Sequence, residues 1–274
     1  MNQERNPELP RRAGFRTRDF LAQHPVFTLA TFRGEAAKHG VSPSAVVTRL
    51  RHALARGDLM LVTNGVYAVV PSGGRTEFRP DRFLVATALR DDAVLAYHSA
   101  LELLGLAHSV YRDVYYLTAR RRRDVRLADG RVRALLPPKR LRDTRSEGVG
   151  VEVRERLGVK LRVTGPERTL VDCCASPKYA GGLEETIEAW RSVTALDLGR
   201  LTAYLDLLDE RRLVAILGFL LEQHAERLFV PEALLDELAR KRPTSKVYLD
   251  RGQRGGKLAA RWNLIVPHRW LQHA

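Results

Sequence analysis

Between residues 28 and 70 three local signals follow one another in an order that few folds tolerate. Gly40 stands where a helix ending near Lys38 needs a left-handed residue. Ser42 comes two residues later, a side chain that accepts hydrogen bonds from the free amides of a helix start. Pro43 then occupies the first-turn position, where its missing N–H costs nothing. Finally Asn64-Gly65 lies between Leu59-Met60-Leu61-Val62 and Val66-Tyr67-Ala68-Val69-Val70, the strongest short-range hairpin signal in the chain. Upstream, Thr17 is placed to cap a first helix through Phe20, Leu21 and Gln23 that stops at His24-Pro25. Thr28 is placed to cap a second, over roughly Leu29 to Lys38. The expectation is a winged helix-turn-helix over residues 13–72: three short helices, with a glycine turn between the last two, and a β-ribbon directly behind them.

The third helix, residues 43–56, sorts its side chains. Val46, Val47, Leu50, Ala53 and Leu54 share one face and are expected to bury against the other helices. Ser44, Thr48, Arg51, His52 and Ala55 share the opposite face, with Arg49 and Arg56 at its border. Small, hydrogen-bonding and cationic side chains of this kind can enter a major groove and meet base edges and phosphates. A lone helix with such a face also reads as an ordinary solvated surface. The ribbon behind it, with Thr63 and Asn64 at the tip, favours DNA. The candidate DNA contacts are therefore Ser42, Ser44, Thr48, Arg49, Arg51, His52, Arg56, Thr63 and Asn64.

Charge points the same way. The chain of 274 residues carries a net +14, which favours a polyanionic partner: DNA, RNA or an acidic membrane surface. The excess is arranged in blocks. Residues 1–80 hold 12 Lys and Arg against 6 Asp and Glu, and residues 81–178 hold 20 against 13. Residues 179–240 reverse the sign with 6 against 12, and residues 241–274 restore it with 8 against 1. Within the second block, Arg120 to Arg145 contain 11 basic and 3 acidic residues, with Arg120, Arg121, Arg122 and Arg123 in sequence. That run reads as a second nucleic-acid contact, to DNA or RNA, or as a solvated surface.

Other classes find little support. The longest apolar run, Leu213 to Leu221, is far short of the roughly 20 residues of a membrane span. Polar residues dominate the first 20 positions, unlike a signal peptide, and the two cysteines, Cys173 and Cys174, are adjacent, so the reading is cytoplasmic, with both thiols in the core. No phosphate loop, zinc-ligand cluster or nucleophile elbow is visible, and no cofactor or metal is indicated. His98 beside Ser99 suggests chemistry, but Ser99 serves equally as a helix cap.

Residues 1–12, with Pro7 and Pro10, read as a mobile tail, and residues 73–82, with Gly73-Gly74 and Pro80, as a linker. Residues 83–270 read as a larger mixed α+β domain. Its expected parts are helices near 82–89 and 98–106, a strand at 114–118, a hairpin around Asp129-Gly130, and strands at 149–153 and 160–163. A helix capped by Thr164 and Glu167 should follow, with Arg168 and Asp172 pairing on its surface. Helices to about 238 and a basic closing segment over 241–270, with strands at 247–249 and 262–266, complete it.

The segment from Phe27 through Tyr67 resembles the N-terminal domain of AbiEi-type antitoxins of the type IV toxin–antitoxin, abortive-infection class. The residues that carry the likeness are Gly40-Val41-Ser42, Leu50-Arg51, Gly57-Asp58-Leu59 and Gly65-Val66-Tyr67-Ala68. Tyr97-His98-Ser99-Ala100-Leu101 with Leu104-Gly105-Leu106 resembles the opening of that family's C-terminal domain. Val163 through Asp172, followed by Tyr179-Ala180-Gly181-Gly182, resembles its best-marked motif. The resemblance covers about residues 15–270. It implies a non-enzymatic negative autoregulator that binds inverted repeats upstream of its own operon. It also implies a C-terminal domain needed to counteract a nucleotidyltransferase-like toxin without a stable complex. The alternative function is a nucleic-acid-modifying enzyme with a winged-helix targeting arm; a third is an RNA-binding accessory protein.

Overall fold

The computed structural model describes residues 14–73, 77–120, 123–143, 148–252 and 255–271, so the tail expected over 1–12 lies outside the described residues. The N-terminal unit runs through helix α1 (Thr17–Gln23), strand β1 (Val26–Thr28), helices α2 (Leu29–Lys38) and α3 (Pro43–Arg56), and strands β2 (Leu59–Thr63) and β3 (Val66–Val69). Two caps act as the sequence implies: Thr28 Oγ1 accepts from the Thr31 amide and Ser42 Oγ from the Ala45 amide. Gly40 and Gly57 take the left-handed conformations that end α2 and α3, at φ 72° and 73°. Thr17, by contrast, caps nothing. Arg16 holds the N-cap position of α1 without a side-chain bond, and Thr17 is already helical.

Strand β1 has no counterpart in the sequence reading. Pro25 halts α1, and the next three residues pair antiparallel with β3, Phe27 opposite Tyr67, in a sheet ordered β1-β3-β2. The two faces of this sheet bury against different partners. Phe27, Tyr67 and Val69 turn toward the helices, whose core holds Phe20, Phe32, Val46 and Leu50. Val26, Val62 and Val66 turn the other way, into a core shared with Phe83 and Leu84 of helix α4 (Arg82–Ala88). Of the linker expected over 73–82, residues 74–76 lie outside the described residues, and the units on either side of it share apolar surface.

Beyond α4 come β4 (Val94–Leu95), α5 (His98–Leu104), β5 (Val114–Leu117), β6 (Val125–Leu127), β7 (Gly130–Leu135), β8 (Val151–Arg156), β9 (Val159–Thr164) and α6 (Pro166–Ala175). The strands form one mixed sheet ordered β6-β7-β5-β4-β9-β8. Alternation along β5 shows its two faces: Val114 and Tyr116 pack toward α4, Tyr115 and Leu117 toward the helices that follow. At the expected Asp129-Gly130 turn, glycine is required by a close approach, because a Cβ on Gly130 would lie 2.3 Å from the Arg112 carbonyl oxygen. The strands expected at 149–153 and 160–163 prove to be one hairpin, turned by Leu157 and Gly158 at φ 50° and 76°.

The start of α6 differs from expectation. Gly165 is its N-cap, and Thr164 Oγ1 lies 2.7 Å from Thr169 Oγ1 instead of capping. Glu167 accepts from the Asp197 amide at 2.9 Å. Arg168 and Asp172 do pair, but at 4% and 1% exposure they lie in the core and not on the surface.

Helices α7 (Leu183–Ser192), α8 (Leu198–Leu208), α9 (Arg211–Gln223) and α10 (Glu232–Lys241) complete the main core. Strands β10 (Val247–Tyr248), β11 (Lys257–Ala259) and β12 (Leu264–Val266) form a small sheet ordered β10-β12-β11. Trp262 anchors this closing segment. Its ring is fully buried against Gly218, where a Cβ would come within 2.0 Å of it, and its Nε1 donates to Glu222 at 2.7 Å. Arg261 reaches Glu222, Glu232 and Asp236 at 2.9, 2.7 and 2.7 Å, and Lys241 reaches Asp206 and Glu237 at 2.9 and 3.0 Å. Through these two residues part of the last basic block pairs with carboxylates of the acidic block. The protein is an α+β fold, and no described helix is long and apolar enough to cross a membrane.

Candidate nucleic-acid interface

Helix α3 buries Val46, Leu50 and Ala53 and turns its other side to solvent. Ser42, Ser44, Thr48, Arg51, His52 and Arg56 are exposed, and the larger domain does not cover them. Local bonds set the face. Ser42 Oγ is spent on the cap and lies 3.1 Å from Ser44 Oγ, while Thr48 Oγ1 donates to the Ser44 carbonyl at 3.1 Å. Arg56 Nε meets Asp58 at 2.8 Å, both well exposed, so this pair can open at little cost. Arg51 and His52 have no hydrogen-bond or ion-pair partner among the described residues. Arg49 is differently placed from the expectation. Half-buried, it donates to the Phe15 carbonyl at 3.1 Å and lies over the Phe15 ring at 5.5 Å, tying down the segment before α1.

Val47, expected in the core, is 40% exposed. It follows Val46 by one residue and so points about 100° away, one turn before Arg51, where no element among the described residues buries it. Its apolar character hid it from sequence reasoning; only its angular position could have revealed it. An apolar side chain there suits the methyl group of a thymine.

The ribbon behind α3 is short. Gly65 supplies a left-handed φ of 77°, and the pairing skips Val62 between Leu61 and Thr63. The Gly65 carbonyl accepts from the Leu29 amide at 2.8 Å, which ties the tip to the start of α2. Asn64 is exposed at this tip and Thr63 half-buried beside it. Over residues 14–73 seven Lys and Arg face three Asp and Glu.

Part of the run from Arg120 to Arg145 is committed elsewhere. Arg131 pairs with Asp113 at 3.2 Å, Arg133 with Asp124 at 3.0 Å, and Arg140 with Asp209 at 2.9 Å. Arg142 donates to the Pro137 carbonyl at 3.0 Å. Arg120 and Arg123 are exposed at the sheet end, and Arg121 and Arg122 lie outside the described residues.

The polar groups of the larger domain that suggest chemistry are packed inside it. Ser99 Oγ does not cap α5 but accepts from the Tyr115 amide at 2.8 Å, fastening helix to strand. His98 lies 3.4 Å from Glu185, both nearly inaccessible. Burial pushes the imidazole pKa down more than the adjacent carboxylate raises it, so His98 is held neutral. Burial also works to raise Glu185, but the His108 and Ser109 amides, at 2.7 and 3.2 Å, outweigh it and keep the carboxylate charged. Asp172 is raised by burial against the pull of Arg168 and the Tyr204 hydroxyl, which donates at 2.6 Å. Cys173 and Cys174 are buried as expected, with Cys174 pushed up to about 12 by burial, far from a reactive thiolate. Among the described residues no group of three or more His, Cys, Asp or Glu is placed to hold a metal.

No family model matches the chain, and no curated protein matches it. The fold does have a relative among solved structures. The crystal structure of the RV2827C protein from Mycobacterium tuberculosis is similar over 90% of this chain and 89% of that one, with a TM-score of 0.56 and 19% identity. That likeness extends through both units and concerns the fold alone.

Proposed function

We propose that this protein is a sequence-specific binder of double-stranded DNA, a winged helix-turn-helix repressor that regulates its own operon as the antitoxin of a type IV toxin–antitoxin pair. One observation carries the reading. The polar face of α3 is open, with Arg51 and His52 unengaged among the described residues, and a β-ribbon tip stands directly behind it. In this mechanism α3 lies in the major groove. Arg51 pairs with a guanine edge, Ser44, Thr48 and His52 reach neighbouring edges, and Val47 meets a methyl group. Arg56 leaves Asp58 for a phosphate, and Thr63 and Asn64 approach the backbone alongside. Inverted repeats would be filled by two copies of the chain. The joined cores of β3 and α4 make the reading head and the larger domain one lever, which suits a domain that counteracts a nucleotidyltransferase-like toxin while the head holds DNA. The toxin role rests on the resemblance to AbiEi-type antitoxins.

Footprinting on the DNA upstream of the gene tests the proposal. Protection of two inverted half-sites, lost when salt is raised, is the expected result. Equal binding to every duplex sequence would overturn it, and so would conversion of labelled DNA to a new product in the presence of a divalent metal.

A further inference from the structure

A second site lies outside the DNA-binding reading, in the larger domain on the face of the six-stranded sheet turned away from α4. There a cavity of about 200 Å³ has an apolar floor that includes Val94, Leu117, Leu141 and Val151. Charged groups line its walls, and most of them are answered. Arg168 bonds the Val149 carbonyl at 2.6 Å and Asp172 at 3.4 Å. Asp92 accepts from the Ala119 amide at 2.7 Å and Thr118 Oγ1 at 2.9 Å, with Arg90 at 3.3 Å. These bonds hold its carboxyl below the usual range although burial acts to raise it. Arg142 and Asp143 contribute opposite charges at the rim.

Arg162 is different. It lies in the middle of β9, half-buried beside the apolar floor, and has no hydrogen-bond or ion-pair partner among the described residues. A half-desolvated guanidinium without an anion is a standing cost, and evolution ordinarily pairs such groups. Across the ladder Val153, 63% exposed, extends the apolar surface past the guanidinium.

We infer that this cavity binds a small organic monocarboxylate with a ring-sized apolar body, the body on the Val94–Leu117 floor and the carboxylate clamped by Arg162. The charge count selects the class. Among the described residues Arg162 has no counter-charge, and a planar carboxylate matches one guanidinium bidentately. A phosphate monoester would bring a second negative charge beside the ionised Asp92. Predominantly apolar lining with a few convergent polar groups is the ordinary make-up of small-molecule sites.

Calorimetric titration of the full-length protein with benzoate, cyclohexanecarboxylate and 4-methylpentanoate tests this. At least one should saturate, with benzamide and acetate each weaker by about ten-fold or more. Arg162→Gln should weaken the carboxylate by about ten-fold or more while the melting temperature stays level or rises, because an unpaired charge has been removed. Arg162→Lys should retain part of the affinity. The inference is overturned if none of the three carboxylates saturates, if benzamide equals benzoate, if phenyl phosphate binds more tightly than benzoate, or if Arg162→Gln leaves the affinity unchanged. Because Arg162 is remote from α3 in the sequence and on another sheet, the operator footprint of Arg162→Gln separates failure here from failure of the DNA-binding reading.

Discussion

Helix α3 and the closing segment after α10 are both rich in cations, yet the fold uses them in opposite ways. On α3, Arg51 faces water with no carboxylate in reach among the described residues, and Arg56 has a single exposed partner. In the closing segment Arg261 sits among three carboxylates, and Lys241, at the end of α10, lies between two. The difference lies in what stands opposite. Arg261 and Lys241 meet carboxylates carried by α8, α9 and α10, whereas the polar face of α3 is exposed. A block of positive charge is therefore an attractive surface for nucleic acid only where the tertiary fold leaves it unanswered. By that criterion the face of α3 qualifies, Arg261 and Lys241 do not, and the Arg120–Arg145 run is intermediate, with Arg120 and Arg123 free of acidic partners among the described residues and Arg131, Arg133 and Arg140 paired.

Substitutions in each region can break or sharpen this contrast. The largest effect is expected from Trp262→Ala, which empties the ring's place against Gly218 and leaves Glu222 with Arg261 as its remaining partner. It should cost about 3–5 kcal/mol, seen as a lower urea midpoint, while the folded fraction still shifts operator DNA. If DNA binding is lost in step with α3 variants at full stability, the closing segment is part of the interface and the contrast fails. Next comes Arg51→Ala, which should weaken operator binding by about 1–3 kcal/mol with the unfolding curve unmoved. An unaltered affinity would remove Arg51 from the reading surface. Arg261→Ala should do the reverse on a smaller scale, lowering stability by about 1 kcal/mol, less at high salt, with operator affinity intact. A further effect appears only in acid. Burial, with Arg227 and Arg191 nearby, pushes His224 down to about 4 from its ordinary value of 6.5. The unfolded chain takes up this proton first, so stability is fully present above about pH 6.5 and is lost as pH falls toward 4. Urea midpoints at pH 7 and pH 5 should diverge less in His224→Gln than in the parent, and equal divergence would contradict the sign.

Much of the N-terminal unit was legible before any coordinates. The caps at Thr28 and Ser42, the left-handed glycine at 40, and the ribbon turning at Asn64-Gly65 all stand where the residues imply. Each is decided within four or five residues, by one hydrogen bond or one permitted φ, so local sequence determines it. What escaped shares a different cause. Strand β1 exists because Phe27 meets Tyr67, forty residues on. Arg168 and Asp172 have helical spacing whether they lie on the surface or in the core, and only α8, bringing Tyr204, puts them inside. Val47 is apolar and yet exposed, because burial depends on whether a neighbour arrives on its side of the helix. Arg162 is one basic residue among 46 until the fold sets an apolar floor beside it. Conformation at a cap or turn is a property of adjacent residues, whereas burial and charge compensation belong to residues brought together from distant parts of the chain, and the tertiary structure alone chooses those neighbours.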